Sequence, residues 1–324
     1  MASARDLHEF AALEGEDFLK KIVGWGPDLK SADYDTYLKY KERFPQIDDI
    51  PEVGYHYQGT FSVERVILLK PDVVIFPLWL VDREGVADDI SRLEQVGIPS
   101  IFTDYWKKPF ENPVMSTLLL GTLLGKEKRA KEIADFYQER VNEVESRLQR
   151  IDKPKPRVYV EIGWKGPAEY ADTYGNTGWG AVVVKSGGMN IAEAVVERMA
   201  PINPEYLLKV NPEVIIISGS RWPETPDAMA LGYYANPEES RQLLGAFTER
   251  PGWNTLNAVR NERVHGIFHG FCFRIYNFAA IQAFAKWFYP DEFKDIDPEA
   301  DLREFHDKFL PVDYSGVWMI SITE

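Results

Sequence analysis

Three features of the sequence predict an α/β fold of two lobes, each a mainly parallel sheet flanked by helices, joined by one long helix. The first is an internal echo. Glu64-Arg65-Val66-Ile67-Leu68-Leu69-Lys70-Pro71-Asp72-Val73-Val74-Ile75 aligns without a gap on Glu205-Tyr206-Leu207-Leu208-Lys209-Val210-Asn211-Pro212-Glu213-Val214-Ile215-Ile216. The second is size: 324 residues exceed the roughly 250–300 at which a single core stops growing. The third is a helical pattern over 127–151, with Ala130, Ile133, Ala134, Tyr137, Val141, Val144 and Leu148 on one face. At 1.5 Å per residue this helix would be about 37 Å long, a strut rather than a flexible linker. The chain is therefore divided into an N-terminal lobe (1–125), an inter-lobe helix (126–151) and a C-terminal lobe (152–324).

Taken in order, the chain opens on an amphipathic helical stretch over 7–19. Each copy of the echo then reads as a short helix, a Pro-acid turn and a buried strand. Ser62 and Asn203 are N-cap types two residues before each glutamate, and Pro204 suits a first helical position. Glu64 and Glu205 thus fall in first turns, where a carboxylate meets the positive end of the helix dipole. The strands that follow, 73–76 and 214–217, are β-branched runs without polar alternation, as a sheet covered on both faces requires. Further strands are predicted at 100–103, 157–162 and 264–268, and helices at 86–95, 116–124, 180–185, 191–198, 278–288 and 298–309.

Composition narrows the function. The chain is 45% hydrophobic and 13% aromatic with a formal charge of -14, which excludes intrinsic disorder and disfavours duplex nucleic acid or an anionic membrane as a partner. The longest apolar run, 73–81, contains Pro77 and is far short of the roughly 20 residues of a membrane span. A lone Cys272 excludes an intramolecular disulfide framework and CxxC chemistry. The motifs GxSxG, HExxH and the kinase set are absent from the sequence.

The echo, Gly97-Ile98-Pro99 before a strand, Leu120-Gly121-Thr122-Leu123-Leu124-Gly125, Gly187-Gly188-Met189-Asn190-Ile191-Ala192, and Pro251-Gly252-Trp253…Ala258-Val259…Arg263-Val264 occur in one order. That order resembles class III solute-binding proteins, the siderophore, haem and cobalamin-type receptors of ABC importers, from about residue 54 to 309. The resemblance implies a monomeric receptor with a ligand cleft between two lobes, no chemistry of its own and no cofactor beyond its cargo, here a metal chelate. It implies permease docking through a glutamate on each lobe, at the positions of Glu64 and Glu205. It also implies a periplasmic or extracytoplasmic, lipid-anchored protein. The family's leader and first strand are not visible here, so the chain is expected to be N-terminally shortened.

Ligands of open α/β sheets bind beyond the carboxyl ends of strands, which makes the residues there the candidates. In the first lobe these are Tyr55-His56-Tyr57, Trp79 and Tyr105-Trp106. In the second they are Tyr170, Tyr174 through Trp179, Arg221-Trp222 and Phe273 through Tyr276. Trp79, Trp179 and Trp222 are assigned to stacking, Arg221 and Arg274 to charge compensation, and Tyr57, Tyr174 and Tyr276 to hydrogen bonding. The bland alternative for each is packing or a surface ion pair. His56 or Tyr55 would be the axial ligand if the cargo were haem, against an ordinary polar loop. His265 and His269 lie on and just after a strand, which does not make the helical two-histidine metal face. Gly175-Asn176-Thr177-Gly178-Trp179-Gly180 matches no nucleotide motif but precedes a helix and is a candidate anion cradle. The favoured reading is capture of a ferric siderophore or similar iron chelate. The alternatives are a haem or oxyanion receptor of the same fold, an enzyme using Cys272 with a histidine or the Tyr/His cluster, and a ligand sensor.

Overall fold

The computed structural model describes residues 1–323. Its contacts group into two compact units: residues 1–135, 273–275 and 306–313 in the first, and residues 136–272, 276–305 and the described residues from 314 on in the second. The passage at 135/136 falls within the 22-residue helix Glu127–Leu148, about 33 Å long.

The first unit holds a parallel pair, β1 (Val74–Pro77) beside β2 (Ser100–Thr103), in register Val74 to Ser100 and Phe76 to Phe102. Around it pack Val53, Val63, Val66, Leu80, Val86, Leu93 and Ile98, drawn from the helices Val63–Leu69 and Val86–Gln95 and the loops beside them. The opening helix, Leu7–Glu14, is not amphipathic: residues 7–13 are buried on every side, including His8 and Glu9. Gly15 at φ +65° then tightens the chain into a 3₁₀ segment, Gly15–Lys21, which ends the α-helix earlier than its hydrophobic pattern does.

The second unit contains β3 (Arg157–Ile162), β4 (Asp172–Tyr174), β5 (Met189–Asn190), β6 (Met199–Pro201), β7 (Val214–Gly219), β8 (Val264–Phe268) and β9 (Met319–Ser321). The order is β6-β4-β3-β7-β8-β9, with β5 also on β3. The β3-β7-β8 centre is parallel, β4 and β9 run antiparallel to it, and β6 pairs antiparallel with β4. Every residue of β7 and β8 is buried, which is why β7 opens on the unbroken apolar run Val214–Ile217.

Both echo units form as predicted, down to their caps. The Ser62 hydroxyl accepts from the Arg65 N–H at 3.2 Å, and Asn203 Oδ1 accepts from the N–H groups of Glu205 and Tyr206 at 2.8 and 3.1 Å. Each helix ends on a left-handed residue followed by proline, Lys70 at φ 48° before Pro71 and Asn211 at φ 53° before Pro212. One predicted helix does not form. Residues 191–198 make turns, because Asn190 is buried with its amide donating to the carbonyls of Tyr174 and Gly175, and β6 begins at Met199. The short segment is held at both ends by strands, which outweighs its helical periodicity.

Candidate functional site

In the first unit the strand ends are furnished by two turns. β1 passes at Pro77 into the turn Leu78–Leu80, which carries Trp79, half-buried. β2 passes at Thr103 into Asp104, whose carboxylate accepts from the N–H groups of Trp106 (3.0 Å), Lys107 (2.7 Å) and Lys108 (3.1 Å) and from the Asn112 amide (2.8 Å). This turn sets Tyr105 and Trp106 in place, and Tyr105 is further bonded to Thr117 at 3.2 Å. Burial raises the Tyr105 phenol well above its ordinary range, so it stays a neutral donor. Beside these residues lies a cavity of about 10 Å³ lined by Arg5, Asp6, Trp79, Trp106 and Phe273 among others. The Phe273 and Trp106 rings are nearly parallel, 7° apart in plane at 6.3 Å, and the Arg5 guanidinium lies 4.4 Å from the Phe273 centroid. Burial pushes the Asp6 carboxyl up to about 6, opposed by its bond from Thr103 at 2.7 Å.

Arg274 is placed differently from its expectation. It belongs to the first unit, is 1% exposed, pairs with Asp33 at 3.1 Å and donates to the Arg5 carbonyl. The next residue, Ile275, donates its N–H to Glu9 Oε1 at 3.1 Å, and burial raises Glu9 to about 7 against the opposing charge of Arg274. A guanidinium so engaged is the counter-ion of a buried acidic cluster. Tyr57 is 57% exposed with the Arg83 guanidinium 4.0 Å above its ring. His56 is enclosed: its ring stacks on Phe61 at 3.9 Å and its Nε2 faces Asp89 Oδ2 at 3.2 Å. Burial lowers its pKa although Asp89 works the other way. Tyr55 is buried against Tyr57 and Trp79. Neither His56 nor Tyr55 therefore presents an open axial position for haem iron.

In the second unit the candidates separate into accessible and enclosed. Arg221 is exposed and Trp222 half-buried, both just beyond β7. Tyr174 was expected in a loop, but it ends β4 and is buried. Trp179 is fully buried at the start of the helix Trp179–Lys185, stacked on Phe284 at 5.5 Å. Tyr276 is fully buried among Phe271, Phe305 and Trp318. Residues so enclosed offer no free face to a ligand in this conformation. The glycine-rich segment is also closed: a Cβ on Gly180 would meet the Gly175 carbonyl at 1.8 Å, and Asn190 donates to that same carbonyl at 2.6 Å. Its turn is packed rather than open as an anion cradle.

Sequence reasoning missed two features here. His269, directly after β8, receives the Trp179 indole N–H on Nδ1 at 3.5 Å, with Ser218 Oγ 3.0 Å away on the same atom. Trp is only a donor, so Nδ1 accepts and the neutral ring carries its proton on Nε2. Cys272 is buried and its thiol donates to the His269 carbonyl at 3.3 Å. The second feature is a buried bidentate pair, Glu161 with Arg250, at 2.7 and 2.9 Å. Arg250 also donates to the carbonyls of Gly166, Pro167 and Glu169, pinning the loop that leaves β3. An acid in a run as apolar as 158–162 is the signal that such a partner exists.

Glu64 and Glu205 are both exposed on their echo helices. Glu64 accepts from its own N–H, from Arg92 and from the Ser62 hydroxyl, which together lower its pKa. Glu205 has no ion pair among the described residues, and no described helix is long and apolar enough to cross a membrane.

Comparison with known proteins places these features in a family. The sequence pattern of a family described as periplasmic binding protein matches residues 22–267. The chain is similar to the crystal structure of the TroA-like periplasmic binding protein FepB from Veillonella parvula. That match has 40% identity and a TM-score of 0.92, and covers 98% of this chain and 91% of that one. It is 24% identical to the uncharacterized ABC transporter substrate-binding lipoprotein YvrC of Bacillus subtilis over 81% of this chain and 73% of that protein. Similarity to the high-affinity heme uptake system protein IsdE of Staphylococcus aureus is also 24%, over 70% of each.

Proposed function

The chain belongs to the periplasmic binding protein family, and on that premise we propose that it captures a ferric siderophore or similar iron chelate and delivers it to an ABC permease. It is a substrate-binding protein of an ABC transporter, a class that does not catalyse reactions. The observation that carries the ligand class is the set of aromatic side chains at the strand ends of the first unit, Trp79, Tyr105 and Trp106, with Phe273 and Arg5 beside them. Aromatic faces supply contact area at low entropy cost, and arginine donors match the oxygens of an anionic chelate. In the first unit the proposed ligand contacts are Tyr57 and Trp79, with Arg274 structural; in the second they are Arg221 and Trp222, with Tyr174, Trp179 and Tyr276 structural. Work outside the cytoplasm and docking through Glu64 and Glu205 complete the proposal.

A titration of tryptophan fluorescence against ferric hydroxamates, ferric catecholates, haem, cobalamin and molybdate tests it. Saturable quenching at micromolar or lower concentration by a ferric chelate is expected. Quenching by haem or molybdate alone would replace the siderophore with that ligand, and silence across the panel would overturn the reading.

A further inference from the structure

Four side chains of the first unit form one polar chain from its interior to its surface. His56, in the turn His56–Gln58, directs Nε2 at Asp89 Oδ2 at 3.2 Å. Asp89 and Arg92 stand three residues apart on one face of the helix Val86–Gln95, with Arg92 Nη1 3.5 Å from Asp89 Oδ1. The other arm, Arg92 Nη2, donates to Glu64 Oε1 on the helix Val63–Leu69, and Glu64 Oε2 accepts from the Ser62 hydroxyl at 3.1 Å. Side-chain exposure climbs along the chain, 6% at His56, 21% at Asp89, 51% at Arg92 and 68% at Glu64. The inner end is apolar. The His56 ring lies on Phe61 at 3.9 Å and beside Phe76 at 5.8 Å, and its Nδ1 is buried with no hydrogen-bond partner among the described residues. A neutral His56 therefore donates its one proton from Nε2 to Asp89, and a second proton has to enter at Nδ1. Among the described residues Asp89 balances the charge this creates, while Arg83, the other charged group acting on the ring, opposes it.

Asp89 thus stands between two cations. When His56 is neutral, the Asp89 charge is uncompensated on its inner side and draws the Arg92 guanidinium away from Glu64. When His56 is charged, the inner pair satisfies Asp89 and leaves Arg92 to Glu64. The Arg92–Glu64 pair is exposed and hence weak, so one unit of charge beside it is enough to redistribute it. We infer that His56 and Asp89 are positioning residues that set how firmly Arg92 holds Glu64, so that a proton on His56 closes Glu64 to a permease and its loss opens it. The inference rests on the docking reading above. Burial lowers the His56 pKa and Asp89 raises it, while that of Glu64 is lowered by its own N–H, by Arg92 and by Ser62. Glu64 accordingly stays ionised above about pH 5, and a change in its signal there reports Arg92 and not its own protonation.

Two measurements on the full chain test this. In solution NMR between about pH 8 and 5, the Glu64 carboxyl and Arg92 Nε signals of the wild type are expected to move with the midpoint of the His56 ring, and to stay still in His56→Gln. A His56 that does not titrate in this range, or a Glu64 signal indifferent to it, overturns the inference and leaves docking through Glu64 standing. Affinity for the cognate permease in nanodiscs is expected to be about threefold tighter at the upper pH than at the lower, the scale of one exposed ion pair. The profile should be flat in both variants but at opposite levels. It is tight in His56→Gln, where Asp89 keeps its charge with no cation on its inner side, and weak in Asp89→Asn, where nothing draws Arg92 from Glu64. A purely structural role would move both variants the same way, and a pH dependence belonging to the permease would survive in both; either result overturns the inference. If Glu64→Ala docks as the wild type does, the docking reading fails and this inference falls with it, even where the NMR titrations are linked.

Discussion

His265 shows how much one buried side chain determines. It sits in β8 with its ring flat on Trp287, 4.3 Å between centroids and 6° in plane, and its Nδ1 meets Ser321 Oγ at 2.8 Å. Nε2 is buried without a partner among the described residues, so the native ring is neutral, and burial, helped by the charge of Arg263, lowers its pKa to about 3. The unfolded chain, with an ordinary value near 6.5, binds the proton first. Stability from this group is therefore complete above about pH 6.5 and is lost as pH falls towards 3, with about 2 kcal/mol gone at pH 5. Denaturant melts of wild type and His265→Phe at pH 7 and 5 check this: the variant keeps the stacked ring and should lose that much less stability between the two. Parallel pH dependences would show that the native site accepts the proton. The same residue marks a limit of sequence reading. Its strand, 264–268, was legible in the sequence, but nothing in the local sequence says that Trp287 covers the ring. Arg5 and Arg274 show the same limit in opposite directions. Arg274 read as a ligand arginine because it follows a strand, but Asp33, remote in sequence, claims it. Arg5 is not among the candidates read from the sequence, and nothing local signals its place against Phe273.

At the scale of elements, local chemistry decided most outcomes. Strands 100–103, 157–162 and 264–268 and the helices 86–95, 278–288 and 298–309 match their expected bounds because capping residues and apolar runs agree with the tertiary setting. The helix Pro237–Thr248 went unnoticed although its start repeats the Asn-Pro-Glu of the second echo, with Asn236 accepting from Glu238 and Glu239 at 2.9 and 3.2 Å. The short strands β4, β5, β6 and β9 were illegible, since two or three residues carry no period and are fixed by their neighbours. Asn203 offers a direct measure of a cap's worth. Its oxygen satisfies two N–H groups at the start of a helix of only seven residues, and Asn203→Ala should cost about 1 kcal/mol in a denaturant melt. Asn203→Asp should recover most of that, since the carboxylate keeps the acceptor. A loss equal in both variants would mean that the side chain serves something other than the cap.

Across the whole molecule, the echo places one exposed glutamate on each unit, and the proposed docking uses both against a permease that is itself two-fold. A formal charge of -14 favours approach to a basic face, so association should weaken with added salt. The two glutamates are not equivalent, however. Glu64 already holds Arg92, whose other arm lies 3.5 Å from Asp89, whereas Glu205 has no such pair among the described residues. A permease arginine at Glu64 must displace an internal one, and at Glu205 it displaces only water. Uptake measured with the cognate permease should therefore fall more for Glu205→Ala than for Glu64→Ala, while both variants keep the ligand affinity of the wild type. Arg92→Ala should raise uptake at limiting receptor, because it releases Glu64 without touching the helix. If either glutamate substitution lowers ligand affinity instead, that residue serves the ligand and not the permease. If Arg92→Ala lowers uptake as Glu64→Ala does, the arginine positions Glu64 for docking rather than competing for it.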